Sequence, residues 1–213
     1  MSGRRLPVYL LIDTSGSMRG EAIQAVNVGL QALVSALRQD PYALESVHIS
    51  IITFDLEAKE LFPLTPLYEV QIPEISVPKS GATFLGSALE LLVARVDKDV
   101  QRSTPDQKGD WRPILFVMTD GTPNDTQAYH EMTVEVKKRG FGNVVVCAAG
   151  PKAKIDVLKE LADNIVHLET TDSASFTSFF KWVSASVSIG SSSAGVIEPT
   201  VLPPPPPEVQ VVL

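Results

Sequence analysis

One segment constrains this chain more than any other. In Tyr9-Leu10-Leu11-Ile12-Asp13-Thr14-Ser15-Gly16-Ser17-Met18 an apolar run stops at an acid, followed by alternating hydroxyls and a glycine. A short apolar run bounded by a turn reads as a buried strand. In open α/β sheets, ligands bind at the carboxyl ends of such strands. The turn therefore aims one carboxylate and two hydroxyls at a single point on the rim. Hard divalent cations take oxygen ligands, and Mg2+ favours few carboxylates completed by neutral oxygens and water. A cation at the edge of a sheet is the first functional expectation.

The rest of the chain supports that architecture. Residues 7–13 form the first strand, and the apolar positions Ala22, Ile23, Val26, Leu30, Leu33, Val34 and Leu37 recur at helical spacing over 19–38. Pro41 is expected to end that helix. Residues 47–54 read as a second strand, and Asp55-Leu56-Glu57 turns the chain into an antiparallel edge partner over 58–62. Pro63, Pro66, Pro73 and Pro78 predict loop over 63–80 with at most one small strand, any pairing there being short or at an edge. A helix follows over 84–100, then an exposed connection over 101–112. The strand 113–120 again ends in an acid, Asp120. Helix 125–139, strand 143–149, a short helix over 155–162, strand 165–168 and helix 175–189 complete the pattern. Strands alternating with helices imply right-handed crossovers and a mostly parallel sheet with helices on both faces. The fold expected is a single doubly wound, Rossmann-like α/β domain over residues 1–190, with one antiparallel edge strand.

Residues 191–213 differ in composition. Ser191-Ser192-Ser193-Ala194-Gly195 is linker-like, and Pro203 to Pro207 is an unbroken proline run suited to polyproline II. Two readings stand for this tail. It is either an arm whose β-prone end, Glu208 to Leu213, adds to the sheet edge of a partner, or a disordered carboxyl terminus, the preferred reading.

Charge and composition exclude several functions. A formal net charge of -7 argues against nucleic acid as the main partner, because phosphate binding needs clustered Lys and Arg. The densest basic run, Lys137-Lys138-Arg139, falls where a helix end is predicted and complements its dipole. The only cysteine, Cys147, lies in an apolar strand, so no internal disulfide forms and a core role is expected. No run approaches membrane-spanning length, and the short apolar stretch after Arg4 and Arg5 is a strand, not a signal peptide. A cytoplasmic location is the default expectation. His48, His130 and His167 lack ligand-like spacing. Neither a Gly-x-Ser-x-Gly elbow nor a phosphate-cradling glycine loop is present. Asp13-x-Ser15 lacks the second acid that an aspartyl phosphotransferase uses as general acid. No enzymatic activity is expected.

Three rim segments converge on one chemistry: Asp13-Thr14-Ser15-Gly16-Ser17, then Gly81-Ala82-Thr83-Phe84, then Thr119-Asp120-Gly121-Thr122-Pro123-Asn124-Asp125. From them Asp13 and Asp120 can supply two carboxylates, and Ser15, Ser17 and Thr83 three hydroxyls. Helix capping by Ser17 or Thr83 is the plainer alternative for either loop alone, and Asn124 and Asp125 are expected to cap the helix that follows them. The set Asp13, Ser15, Ser17, Thr83 and Asp120 resembles, position for position, the metal-ion-dependent adhesion site of von Willebrand factor A domains. The segments "LLIDTSGSM", "GATFLGSAL" and "FVMTDGTPND" resemble the bacterial, cytoplasmic branch, in particular TerY-type tellurite-resistance proteins.

The resemblance covers about residues 5–190 and implies a six-stranded sheet. It also implies a Mg2+, Mn2+ or Ca2+ ion bound directly by Ser15 and Ser17. Thr83 would bind directly in the ligand-competent state and through water otherwise, and Asp13 and Asp120 mostly through water. The implied function is metal-dependent protein recognition through an Asp or Glu of a partner, with a protein kinase and a metal-dependent protein phosphatase as candidate partners. A Mg2+-dependent phosphoryl-transfer enzyme and a module whose metal only stabilises its loops are the rival readings.

Overall fold

The computed structural model describes residues 4–79, 81–151, 153–192 and 202–212. The first strand, β1 (Leu6–Asp13), is buried along its whole length. Its side chains alternate between two cores, as the pleat requires. Val8, Leu10 and Ile12 enter one, Tyr9 and Leu11 the other. β2 (Val47–Phe54), β4 (Ile114–Thr119), β5 (Asn143–Ala149) and β6 (Asn164–Leu168) run parallel to it. β3 (Ala58–Pro66) pairs antiparallel with β2 at one edge. The order across the sheet is β3-β2-β1-β4-β5-β6, with a two-residue strand, β7 (Gln210–Val211), beyond β6.

The helices α1 (Glu21–Leu37), α2 (Pro41–Ser46) and α6 (Ser173–Ser192) lie with the first core, where Leu30, Leu33, Phe176 and Val183 are buried. Among the described residues α3 (Leu85–Asp99), α4 (Thr126–Lys138) and α5 (Ile155–Leu158) lie with the second, through Leu89, Leu92, Tyr129 and Leu158. Helices thus cover both faces, as expected of a doubly wound sheet. α4 ends at the basic run, where Arg139 pairs with Asp97 and Glu135. Cys147 is fully buried in β5.

Three local expectations are revised. Pro41 does not merely follow a helix: it occupies the first turn of α2, and the Asp40 carboxylate accepts from the N–H groups of Tyr42 and Ala43. β3 runs through Pro63 to Pro66 rather than stopping at residue 62. An edge strand tolerates proline, and the β2–β3 register shifts twice near Ile51, leaving room for the break.

The third revision concerns the tail. Of the linker-like stretch, residues 193–195 lie outside the described residues. Further on, the chain is ordered against the domain. Trp182 donates its indole N–H to the Pro203 carbonyl at 2.9 Å, Leu202 packs on the first core, and Val209 is 2% exposed. β7 (Gln210–Val211) then pairs antiparallel with β6, and Val212 donates to the Ile165 carbonyl. Among the described residues this two-residue strand extends the expected six-stranded sheet to seven and makes its second edge antiparallel too. The β-prone end adds to this chain's own sheet. The disordered-terminus reading fails because Val209 gains burial that an isolated tail lacks.

Candidate metal centre

The rim is built where β1, β2 and β4 end side by side. Beyond β1, Thr14 donates its N–H to the Phe54 carbonyl at 2.8 Å and its hydroxyl to the same oxygen at 3.1 Å. A 3-10 turn over Gly16–Met18 follows, closed by Met18 N–H onto the Ser15 carbonyl and anchored by a Met18 side chain with no exposure. The turn leaves Ser15 buried and Ser17 exposed.

Asp13 has no solvent exposure. Its Oδ1 accepts from the Ser15 N–H at 2.7 Å and its Oδ2 from the Thr119 hydroxyl at 2.6 Å. Burial raises the carboxyl pKa to about 6; the bonds from Thr119 and Ser15 oppose that rise, and the neighbouring charge of Asp120 adds to it. The hydroxyls of Ser15 and Ser17 lie 3.2 Å apart, and Ser17 donates to Asp120 Oδ1 at 2.7 Å. Two carboxylates and two serines are therefore joined in one polar cluster, although Asp120 is 103 residues from Ser17.

Thr83 arrives from the loop before α3 and is 5% exposed. A Cβ placed on Gly121 would come within 3.0 Å of the Thr83 hydroxyl oxygen, so this hydroxyl sits against the residue after Asp120. Its loop is stitched to the Asp120 loop by a reciprocal pair: Thr83 N–H donates to Asn124 Oδ1 at 2.8 Å, and Asn124 N–H to the Thr83 carbonyl at 2.9 Å. The Asp125 carboxylate accepts from the N–H groups of Gly86 and Ser87 at 3.1 and 2.8 Å.

The structure thus brings all five sequence-predicted residues to one rim. It does not place Ser17 or Thr83 as helix caps. The N-cap of α1 is Gly20 and that of α3 is Phe84, and neither helix has a capping side chain of its own. Asn124 and Asp125 also depart from expectation. Asp125 occupies the N-cap position of α4 without a side-chain bond there; its carboxylate caps α3 instead.

One rim residue was missed. Asp55 directly follows β2, as Asp13 closes β1. It accepts from the Thr14 hydroxyl at 3.2 Å, and its carbonyl accepts from the Phe84 N–H at 2.8 Å, linking the first and second loops. The acid directly after the strand Val47–Phe54 was the available signal.

The donor set suits a hard dication. Every group is oxygen, two carboxylates balance a charge of two, and three hydroxyls add none. Among the described residues no group of three or more His, Cys, Asp or Glu is placed to hold a metal. A site of this kind, with two acids and three hydroxyls, needs no such group. The histidines take no part: His48 faces the Ser46 carbonyl and His130 pairs with Glu160. Among the described residues no helix is long and apolar enough to cross a membrane.

The sequence pattern of the von Willebrand factor type A (VWA) domain matches residues 8–181. The chain belongs to the VWA family. Solved structures agree on the fold. Proximal thread matrix protein 1 from the mussel byssus, in a form described as having a zinc-occupied MIDAS motif, is 17% identical with a TM-score of 0.65, covering 85% of this chain and 48% of that one. A von Willebrand factor type A structure from Catenulispora acidiphila is 14% identical with a TM-score of 0.67, covering 88% of this chain and 43% of that one. BatB from Bacteroides thetaiotaomicron is 19% identical with a TM-score of 0.56, covering 89% of this chain and 100% of that one. This VWA chain spans about half the length of the mussel protein. No curated protein sequence matches it.

Proposed function

We propose that this VWA domain is a metal-dependent protein-binding module, in which Asp13, Ser15, Ser17, Thr83 and Asp120 hold one Mg2+, Mn2+ or Ca2+ ion. The observation that carries the reading is the hydrogen-bonded chain Ser15–Ser17–Asp120, with Asp13 on one side and Thr83 against Gly121 on the other. A bound dication would supply Lewis acidity toward an incoming carboxylate, undiminished where its direct ligands are neutral hydroxyls. The residues divide the remaining work. Asp13 sits buried with both oxygens engaged by neutral donors, so it contributes charge from a fixed position. Ser17 is the exposed member and marks the side from which a partner's Asp or Glu approaches. Asp120, at 7% exposure, supplies the second negative charge.

On this reading the domain is an adaptor rather than an enzyme: Ser15 stands two positions after Asp13, where an aspartyl phosphotransferase carries its second acid. The resemblance of the three loops to TerY-type proteins points to a bacterial tellurite-resistance or stress-response system, in the cytoplasm, with a protein kinase and a metal-dependent protein phosphatase among its partners. Affinity capture in Mg2+ and again in EDTA tests the reading. Partners retained with Mg2+, released by EDTA and lost with Asp13→Ala support it. Capture indifferent to both changes rejects it, and Mg2+-dependent phosphatase turnover lost with Ser15→Ala would favour the enzyme instead.

A further inference from the structure

We infer that Asn124 and Asp125 are positioning residues for the metal centre, setting its affinity by fixing where the Thr83 hydroxyl stands; this rests on the metal-binding reading above. A threonine on a loop contributes to a metal only if its backbone is immobile, because a hydroxyl carries no charge to draw it in. Loops ordinarily lack that immobility. Here Asn124 takes both polar backbone groups of Thr83, donor and acceptor, in a closed pair.

One step further along, α3 starts with no capping side chain of its own, so its first N–H groups need partners. The Asp125 carboxylate supplies them from another loop, at Gly86 and Ser87, where a negative charge also suits the helix dipole. Thr83 is therefore held from both directions by adjacent residues of the same loop that carries Asp120. Close packing makes the arrangement unforgiving. A Cβ on Gly121 would crowd the Thr83 hydroxyl at 3.0 Å, and one on Gly86 would meet the Tyr129 backbone nitrogen at 2.5 Å. The loop before α3 and the loop before α4 are thus joined by hydrogen bonds at Thr83, Gly86 and Ser87. Neither Asn124 nor Asp125 needs to touch the metal for its removal to weaken binding, as outer partners of metal ligands commonly do.

The test is Mn2+ titration of the full chain by calorimetry, on wild type, Asn124→Ala, Asn124→Asp, Asp125→Asn, Thr83→Ala and the Asn124→Ala/Thr83→Ala double variant. Asn124→Ala and Asp125→Asn are each expected to weaken Mn2+ binding by about tenfold. Asn124→Asp, which keeps the acceptor for Thr83 N–H, is expected to hold affinity at or above wild type. In the Thr83→Ala background the Asn124→Ala effect should fall to less than about twofold, because the group it positions is gone. Thermal unfolding in EDTA reports whether each variant stays folded, and affinities are compared at a temperature where it does. If wild type binds Mn2+ and Asn124→Ala and Asp125→Asn bind equally well, the inference fails while the metal site stands. Equal losses from Asn124→Ala with and without Thr83 also defeat it, showing a route other than Thr83. If wild type binds no Mn2+, the metal reading falls and takes this inference with it.

Discussion

The rim cluster and the carboxyl-terminal tail are both assembled from residues distant in sequence, yet opposite forces hold them. The rim is polar. Asp13, Ser15, Ser17 and Asp120 are joined by hydrogen bonds, and burial pushes the Asp13 carboxyl up to about 6. The tail is held by apolar contact, through Val209, Leu202 and Trp182, with few hydrogen bonds along a two-residue strand. The rim therefore trades stability for an electrostatic environment that suits a cation. The tail adds stability by covering an exposed sheet edge, which would otherwise offer unpaired N–H and C=O groups. If this contrast is right, changes at the rim move metal binding and pH response, and changes at the tail move stability and self-association.

The largest expected separation comes from two variants measured side by side. Asp13→Ala should lower Mn2+ affinity by at least about 100-fold, removing a buried ligand-side charge. A chain ending at residue 201 should keep Mn2+ affinity within about twofold while its thermal midpoint falls. Burying Val209 alone contributes about 1.5–3 kcal/mol. Light scattering should also show the shortened chain associating, because the β6 edge is uncovered. Loss of metal binding on truncation would break the contrast.

pH separates the two regions next. The Asp13 carboxyl is raised in the metal-free folded protein, so the fold binds its proton more tightly than the unfolded chain does. That contribution is fully present below the ordinary aspartate pKa, near 3.8, and is lost as pH rises through about 6. In EDTA, wild type minus Asp13→Asn should show a stability difference that declines across this window, by on the order of 3 kcal/mol at most. In millimolar Mg2+ the decline should shrink or reverse. A flat difference in EDTA would show that Asp13 is not strained by its burial. The tail truncation should leave this pH difference unchanged.

A smaller effect sharpens the tail side. Trp182→Phe keeps the ring packing and removes the bond to the Pro203 carbonyl, so it should cost about 1 kcal/mol in urea unfolding. Its Mn2+ affinity should equal wild type. A loss of several kcal/mol would mean the indole does more than fasten the tail.

How much of each region was legible in the sequence follows from the same contrast. The strands beneath the rim were readable because they are continuous apolar runs, and β5 matches residues 143–149 end for end. The five rim residues are readable only as a set: three separate loops carry the residue types of a VWA metal site in its order, whereas either loop alone reads as a helix cap. Asp55 also follows a strand and went unread, since its loop lacks neighbouring hydroxyls. Asn124 and Asp125 read as caps of the helix that follows them, yet the Asn124 side chain binds the Thr83 loop and the Asp125 carboxylate caps α3. Sequence shows that a residue can cap, while only the fold brings α3 within reach of the loop before α4. The tail was least legible. A proline run and one short apolar stretch have no periodicity, and Val209 is buried only against the assembled first core. β3 differs on a smaller scale: its prolines read as compatible with an edge strand, and only the strand's end, Pro66 rather than residue 62, needed the fold.

The most direct test of the central claim is calorimetric titration of Mg2+ and Mn2+ into metal-stripped wild type and into a Ser15→Ala/Ser17→Ala variant. The account predicts one ion bound per wild-type chain and at least about 100-fold weaker binding in the variant, with its EDTA melting curve unchanged. Equal binding by both proteins, or none by wild type at millimolar metal, would contradict it.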